Sequence, residues 1–384
     1  MNCARLSVII AVSAASAWPA SASCKAPAER YAIIDLGDFT EAQSDARAVA
    51  IDPKGRIIIR TQGTGLNGIT QEFERDTRGK AKPVAYAEDG AERQTRAYLG
   101  ERLRLVDYTR YQTGYVPLEL QTLIDRRGAE MSVDDYCPAP ETGGTLSQFV
   151  ISPSSKHAAG LFQTESGQVL ARCETGEAAE IVHTRDTDMQ LAAINDDGVM
   201  TGLLEEAGAS RIWRMGTGDL AMFDLPDGHY DASVDGIDAA GNVFVSTTGE
   251  VKNSSLRLSA DGALTAVDVL PGLGWDIDQQ LVGPCGALFG RAFHTNFEAF
   301  SQLPPEEQQE LRLDQERYMA FAGEREEGMF IWSEGHGGRF MHTVVDGFRD
   351  WVSLDLLDVN ESGQAVGYGV RENGDVRAIL LQPE

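Results

Sequence analysis

Histidine is scarce: only His157, His183, His229, His294, His336 and His342 are present among 384 residues, and apart from the i, i+6 pair His336/His342 none has metal-ligand spacing. No GxSxG, HExxH, P-loop or EF-hand signature is present, which removes the hydrolases, zinc peptidases and nucleotidases that depend on those local geometries. Beyond the first two dozen residues no run approaches ~18 uncharged apolar residues, so no membrane-spanning helix is expected in the mature chain. Basic residues are few, with 33 Lys+Arg against 59 Asp+Glu and a net charge of −26. A surface of that sign repels nucleic acid and anionic headgroups. No CxxC occurs among the five cysteines, so neither a zinc ribbon nor a thioredoxin motif is indicated.

The beginning of the chain carries an export pattern. Arg5 precedes the apolar run Leu6-Ser7-Val8-Ile9-Ile10-Ala11-Val12, and small residues lead to Ala20-Ser21-Ala22. A short positive region, a short apolar region and an A-x-A-type site predict a signal peptide over 1–22 and one domain over 23–384. The expected location is periplasmic or secreted. Cys24 follows the cut closely, with small residues before it, and is the candidate for lipidation to an outer-membrane lipoprotein. Ser21 stands where such signals carry an aliphatic residue, which disfavours that outcome. Cys3 leaves with the signal. Cys24, Cys137, Cys173 and Cys285 then remain in an oxidising compartment with three full pairings open. Cys137 with Cys173 is favoured, because the two lie in neighbouring segments.

A short pattern recurs along the mature chain: an aliphatic residue, Asn or Asp, two spacers and Gly, then an aliphatic strand often ending in a second Gly. Its copies are Ile194-Asn195-Asp196-Asp197-Gly198 with Gly202, Ile237-Asp238-Ala239-Ala240-Gly241, and Val282-Gly283-Pro284-Cys285-Gly286 with Gly290. Others are Val359-Asn360-Glu361-Ser362-Gly363 with Gly367, Ile51-Asp52-Pro53-Lys54-Gly55, and an eroded copy from Ile151 to Gly160. Ile151 to Ile194 and Ile194 to Ile237 are each 43 residues, Ile237 to Val282 is 45, and Val282 to Val359 is 77, one period plus an insertion. A period in the forties built of short strands and turns is the signature of propeller blades.

The clearest unit, 220–262, reads as strands over 220–225, 233–238, 242–246 and 255–259 separated by Gly-containing turns. One four-stranded sheet cannot bury both faces, but blades stacked around an axis can. The expectation is therefore an all-β β-propeller of four-stranded blades, seven in number with six and eight left open, and one α-helical insertion. Six copies of the turn are visible, and Leu123-Ile124-Asp125-Arg126-Arg127-Gly128 is the candidate for a seventh. The first strand of the frame recurs at Ile33-Ile34-Asp35-Leu36-Gly37, and the fourth at Arg377-Ala378-Ile379-Leu380-Leu381, so terminal segments that meet would close a ring.

These units resemble the HAF family of bacterial extracellular repeats, which pair a "HAFLW"-like strand, a "DLG" turn and an "INxxGxxxG" segment. The matching residues are Ser210-Arg211-Ile212-Trp213, Gly328-Met329-Phe330-Ile331-Trp332, Asp35-Leu36-Gly37, Ile194-Asn195 through Gly202, and Val359-Asn360 through Gly367. The resemblance covers about two thirds of the mature chain. It implies an exported propeller-like protein and carries no catalytic residues with it. The family's histidine is mostly absent here, and no clear unit stands between about residues 61 and 145.

The insertion over 295–327 holds the one convincing helix. It opens at Leu303-Pro304-Pro305 with acidic residues, continues through Arg317 and ends before Gly323. Its bland reading is a decorative loop or plug; the functional one is a lid or docking arm. Gly63-Thr64-Gly65-Leu66-Asn67-Gly68 spells GxGxxG, but polar residues follow where a dinucleotide fold needs an apolar helix. Asn195-Asp196-Asp197-Gly198 has calcium-ligand residue types, but Asn and Asp at a turn are explained by turn geometry. Glu334 and His336 flank a Gly-rich turn. Trp213, Trp275, Trp332 and Trp351 are candidates for sugar stacking, although Trp213 and Trp332 occupy like places in the repeat frame, which favours packing between blades.

No catalytic, cofactor-binding or metal-ligating residue is therefore assigned. The expected function is a non-catalytic binding or scaffold module of the cell envelope or exterior, with a protein or carbohydrate partner and no nucleic acid. The alternative is an extracellular hydrolase or lyase with its site at the channel mouth. Titratable groups converging at that mouth would favour the enzyme, and a bare rim would count against it.

Overall fold

The computed structural model describes residues 28–37, 44–63, 70–86, 92–99, 103–110, 118–173, 180–185, 188–206, 208–249, 253–270, 275–294, 303–313 and 326–384. They form seven antiparallel sheets in succession along the chain, six of four strands and one of five. The molecule is a seven-bladed β-propeller. Each blade meanders outward from an inner strand, and the inner strands are Ser44–Ile51, Glu92–Leu99, Thr145–Ile151, Met189–Ile194, His229–Ile237, Trp275–Val282 and Ser353–Val359.

Closure differs from the sequence frame by one strand. Tyr31–Asp35 pairs antiparallel with Val376–Pro383, with Ile33 opposite Leu381 and Ile34 opposite Leu380. The N-terminal strand is thus the outer strand of blade 7, whose other strands come from the chain's end. Val345–Asp346 adds a short parallel fifth strand outside it. What reads as a first strand in the sequence frame is the outer strand of the preceding blade, and the motif strand is the innermost. The number of blades is seven, but Leu123–Gly128 is not the inner turn of one. It is the hairpin between the third and fourth strands of blade 2, Leu118–Asp125 and Glu130–Ser132.

The core lies in the seams between blades. Ala159, Leu161 and Leu170 of blade 3 pack on Met189, Leu191, Met200 and Trp213 of blade 4. Ala365, Ile379 and Leu381 of blade 7 pack on Phe289, Met329 and Ile331 of blade 6. Sheets buried on both faces need apolar residues on both, hence the mixed apolar strands. The seam between blades 1 and 2 is different. Glu72, only 3% exposed, accepts from Arg60 Nε at 3.1 Å, Thr95 N at 2.9 Å, Thr95 Oγ1 at 2.7 Å and Tyr86 Oη at 2.5 Å. A buried carboxylate needs such partners, and losing one is costly.

The turn motif now has a physical account. The Asn or Asp side chain caps its own turn: Asn195 Oδ1 accepts from Asp197 N and Val199 N, and Asn360 Oδ1 from Ser362 N and Gln364 N. The first glycine takes positive φ, +75° at both Gly198 and Gly363, a region that Cβ-bearing residues resist. The second glycine admits a close crossing. A Cβ at Gly202 would lie 1.8 Å from the carbonyl oxygen of Gln190, and one at Gly367 would lie 1.8 Å from that of Asp355. Those carbonyls belong to inner strands whose pairing slips between Leu191 and Ala193 and between Leu356 and Asp358. Such register slips recur in all seven inner strands, and bulges strengthen twist where strands crowd together.

The insertion joins the second and third strands of blade 6, Leu288–His294 and Glu326–Ser333. It therefore emerges on the face opposite the motif turns. A helix over Pro305–Leu313 is present. The remainder of the helix expected through Arg317, with Gly323, lies outside the described residues, as do the signal segment, Cys24 and Thr64–Asn67-Gly68 of the GxGxxG run.

Candidate functional site at the channel mouth

The motif turns all reach one face of the ring and encircle the axial channel. Neighbouring turns are joined there. Asp196 Oδ1 accepts from Ser154 N and Oγ, linking blades 4 and 3. Asn195 Nδ2 donates to the Asp238 carbonyl, 3.0 Å, linking blades 4 and 5. Ala239 N donates to the Pro284 carbonyl, 2.8 Å, linking blades 5 and 6. Asn360 Nδ2 donates to the Asp52 carbonyl, 3.0 Å, linking blades 7 and 1. The same Asn thus caps its own turn with oxygen and grips the next blade with nitrogen.

Inside this belt is a cavity of about 340 Å³ whose lining includes Ile51, Phe149, Ile194, Ile237, Val282 and Val359 with Pro53, Pro153 and Pro284. Asp358 and Glu361 are the titratable carboxylates on its wall. Asp358 is engaged by backbone: Oδ2 accepts from Ile51 N at 2.8 Å and Oδ1 from Val359 N at 2.9 Å. Loss of hydration outweighs those two donors and pushes its pKa up to about 7. Nearby on the inner strand of blade 5, Asp235 accepts from Gln280 Nε2 at 2.6 Å, and burial raises it to about 6. Asp235 is also hydrogen-bonded to the side chain and backbone of Ser246, and among the described residues neither carboxylate hydrogen-bonds a histidine. The mouth is a funnel of aliphatic strand ends and prolines with Asp358 and Glu361 on its wall.

Charge is denser on the wall between blades 6 and 7. Arg291 lies 2.8 Å from Asp278, 3.6 Å from Asp355 and 3.7 Å from Glu327. Its pairing with these carboxylates raises its pKa against the opposing effect of burial. This is an ion network in which each acid already faces a cation.

The other sequence candidates fall apart from the mouth or are occupied by structure. Asn195 and Asp196 spend their oxygens on turn amides and Ser154, as above, and among the described residues no group of three or more His, Cys, Asp or Glu is placed to hold a metal. Thr70–Arg75 after the GxGxxG run is a strand, not the helix a dinucleotide fold requires. Glu334 sits at the third-to-fourth turn of blade 6 and grips Arg257 of blade 5 through both oxygens, 2.9 and 3.1 Å. His336, in the same turn, meets Ser333 Oγ at 3.2 Å.

Three of the four candidate tryptophans are buried and closed to a sugar, and Trp332 is half-buried. Trp213 is fully buried, and Trp275 and Trp351 are 8% and 7% exposed. Trp213 Nε1 donates to Gln190 O and Leu203 O. Trp213 and Trp332 are also not equivalent. Trp213 stands opposite Gly202, whereas Phe330 stands opposite Gly290 and Trp332 two residues further on. Cys137, which follows the short helix Val133–Tyr136, is disulfide-bonded to Cys173 of blade 3 with Cα atoms 4.8 Å apart. The turn belt and the Glu72 network were missed from sequence, because their partners lie tens to hundreds of residues apart.

Comparison with known proteins gives the fold and nothing finer. No protein-family model matches the chain, and no curated protein matches it in sequence. Among solved structures it is similar to the β-propeller domain of the Trilobed protease from Pyrococcus furiosus, at 8% identity over 93% of this chain and 95% of that one, TM-score 0.51. That propeller is described as having an open velcro topology, whereas here the terminal strands pair. It is also similar to prolyl oligopeptidase B from Galerina marginata, at 8% identity over 89% of this chain and 52% of that one, TM-score 0.51. A virginiamycin B lyase from Staphylococcus aureus matches at 11% identity over 91% of this chain and 99% of that one, TM-score 0.43.

Proposed function

We propose that this propeller is an exported, non-catalytic binding module of HAF-type repeats, which receives part of a protein or carbohydrate partner in the channel mouth. The observation that carries the reading is the lining of that mouth. Aliphatic strand ends and prolines surround a cavity of about 340 Å³, and Asp358 is committed to the amides of Ile51 and Val359. A concave, largely apolar surface with few polar groups suits binding. Bond cleavage needs proton donors and acceptors positioned toward a substrate, and of the two carboxylates on the lining Asp358 faces backbone amides instead. Export is supported by the N-terminal charge, apolar run and Ala20-Ser21-Ala22 pattern.

The test is capture of partners from a cell-envelope extract by the full chain and by Pro153→Glu and Pro284→Glu rim variants. Loss of the same partner from both variants is the expected result. Undiminished capture would remove the mouth as the binding surface, and turnover of a polysaccharide or phosphoester by the unaltered chain would favour the hydrolase or lyase reading instead. N-terminal sequencing of the secreted product, expected to begin at Ser23, tests export.

A further inference from the structure

The negative charge of this protein is unevenly placed. Residues 136–384 hold 40 acidic residues against 15 basic, whereas residues 44–135 hold 15 of each. Blades 1 and 2 are therefore close to neutral in a chain of net charge −26. Within them lies a cleft of about 400 Å³ on the motif-turn face. Arg56 and Lys82 of blade 1 line it with Arg104, Arg126 and Arg127 of blade 2. Glu74 and Asp125 are its acidic residues.

Those two carboxylates are already used. Asp125 Oδ1 accepts from the backbone of Arg127 at 2.7 Å and of Ala129 at 2.9 Å, which fixes its turn. Glu74 accepts from Tyr98 Oη at 3.2 Å and lies 3.6 Å from Arg56. Arg56 is also held by Asp52 at 2.6 Å. Lys82, Arg104 and Arg127 by contrast form no ion pair among the described residues. Among the described residues Arg104 Nη1 donates to the neutral Thr95 Oγ1, at 3.3 Å, and its guanidinium lies over the Tyr86 ring.

We infer that this cleft is an oxyanion site that takes a phosphate dianion, free or as a phosphomonoester. The lining holds five cations, Arg56, Lys82, Arg104, Arg126 and Arg127, against the two carboxylates Glu74 and Asp125, so the three positive charges in excess repel one another there and an anion among them removes that repulsion. Two negative charges answer three cations better than the single charge of a carboxylate. Guanidinium groups match the paired oxygens of phosphate. The acidic remainder of the surface disfavours anions at long range, but at physiological ionic strength that field fades over ~8 Å. The site adjoins the channel mouth through Tyr98, which lines both cavities, yet it does not depend on the partner proposed there.

The test is isothermal titration of the full chain at constant ionic strength with inorganic phosphate, glucose 6-phosphate and galacturonate, beside the double variant Lys82→Gln/Arg127→Gln. Both substituted side chains are exposed, so the variant is expected to fold, and its melting curve checks this. The expected result is saturable binding of phosphate that weakens at least tenfold in the variant, with galacturonate bound more weakly. Tighter binding of glucose 6-phosphate than of inorganic phosphate identifies a sugar-borne phosphate, and equal binding identifies the phosphate group alone. No saturable binding, or equal affinity in the folded variant, overturns the site. Galacturonate binding as tightly as phosphate overturns the phosphate assignment.

Discussion

The carboxylate of Asp358, in the last blade, accepts the backbone N–H of Ile51, in the first, at 2.8 Å across 307 residues of sequence. It is one of the bonds that turn a row of seven sheets into a ring. Its pKa stands at about 7, above the ordinary value of about 4 for an unfolded aspartate. The folded protein therefore holds this proton more tightly than the unfolded chain. The associated stability is complete below pH about 4 and is lost as pH rises through about 7. Asp235, raised to about 6, acts in the same sense. Denaturation of the wild type and Asp358→Asn between pH 4 and 8 is expected to show a flatter pH dependence in the variant. An unchanged slope would contradict the assignment.

Asn360 does two jobs with one amide, capping its own turn and gripping the Asp52 carbonyl. Asn360→Ala is expected to cost about 1–3 kcal/mol, because buried backbone groups lose partners. Asn360→Asp keeps the cap but sets an oxygen against that carbonyl, so it should also destabilise. Urea denaturation of both variants measures this, and a neutral Asn360→Asp would show that the bond between blades contributes nothing.

How much of this was legible in the sequence follows from where each constraint acts. The turn needs an oxygen cap and a residue at positive φ, so Asn or Asp with Gly recurs at a fixed period and exposes the blade. The third-to-fourth hairpin of blade 2 uses the same solution, with the Asp125 cap and Gly128 at φ +82°. Local chemistry cannot tell which hairpin of a blade it belongs to, and Leu123–Gly128 was misplaced for that reason. The frame slipped by one strand on the same ground: a turn signal does not say which strand faces the axis. At the candidate site the turns were readable, but the apolar funnel they enclose and the engagement of Asp358 were not. Both arise from residues that only ring closure brings together.

The second glycine of the motif rests on a steric claim. Gly367→Ala places its Cβ against the Asp355 carbonyl and is expected to cost about 3 kcal/mol or more. Gly374 has φ +85° with no neighbour within 4 Å of an added Cβ, so Gly374→Ala should cost only the conformational penalty of about 1–2 kcal/mol. Equal losses in chemical denaturation would argue against the close crossing.

Blade 3 departs from the pattern. Ser155 occupies the glycine position of its turn and has φ +60°, the one non-glycine residue at positive φ among those described. Ser155→Gly is expected to stabilise the protein by up to about 1 kcal/mol, the relief of strain being partly offset by the greater freedom of glycine when unfolded. A destabilising result, read from the denaturation midpoint, would mean that the serine makes contacts worth more than the strain.

The closed seven-bladed ring depends on Tyr31–Asp35 serving as the outer strand of blade 7. Native-state hydrogen exchange on the full chain tests it most directly. The amides of this strand that bond to Val376–Pro383 should exchange as slowly as those of Ile379 and Leu381, opening with them as one unit. Fast exchange of the N-terminal strand beside a protected C-terminal one would contradict the closed ring.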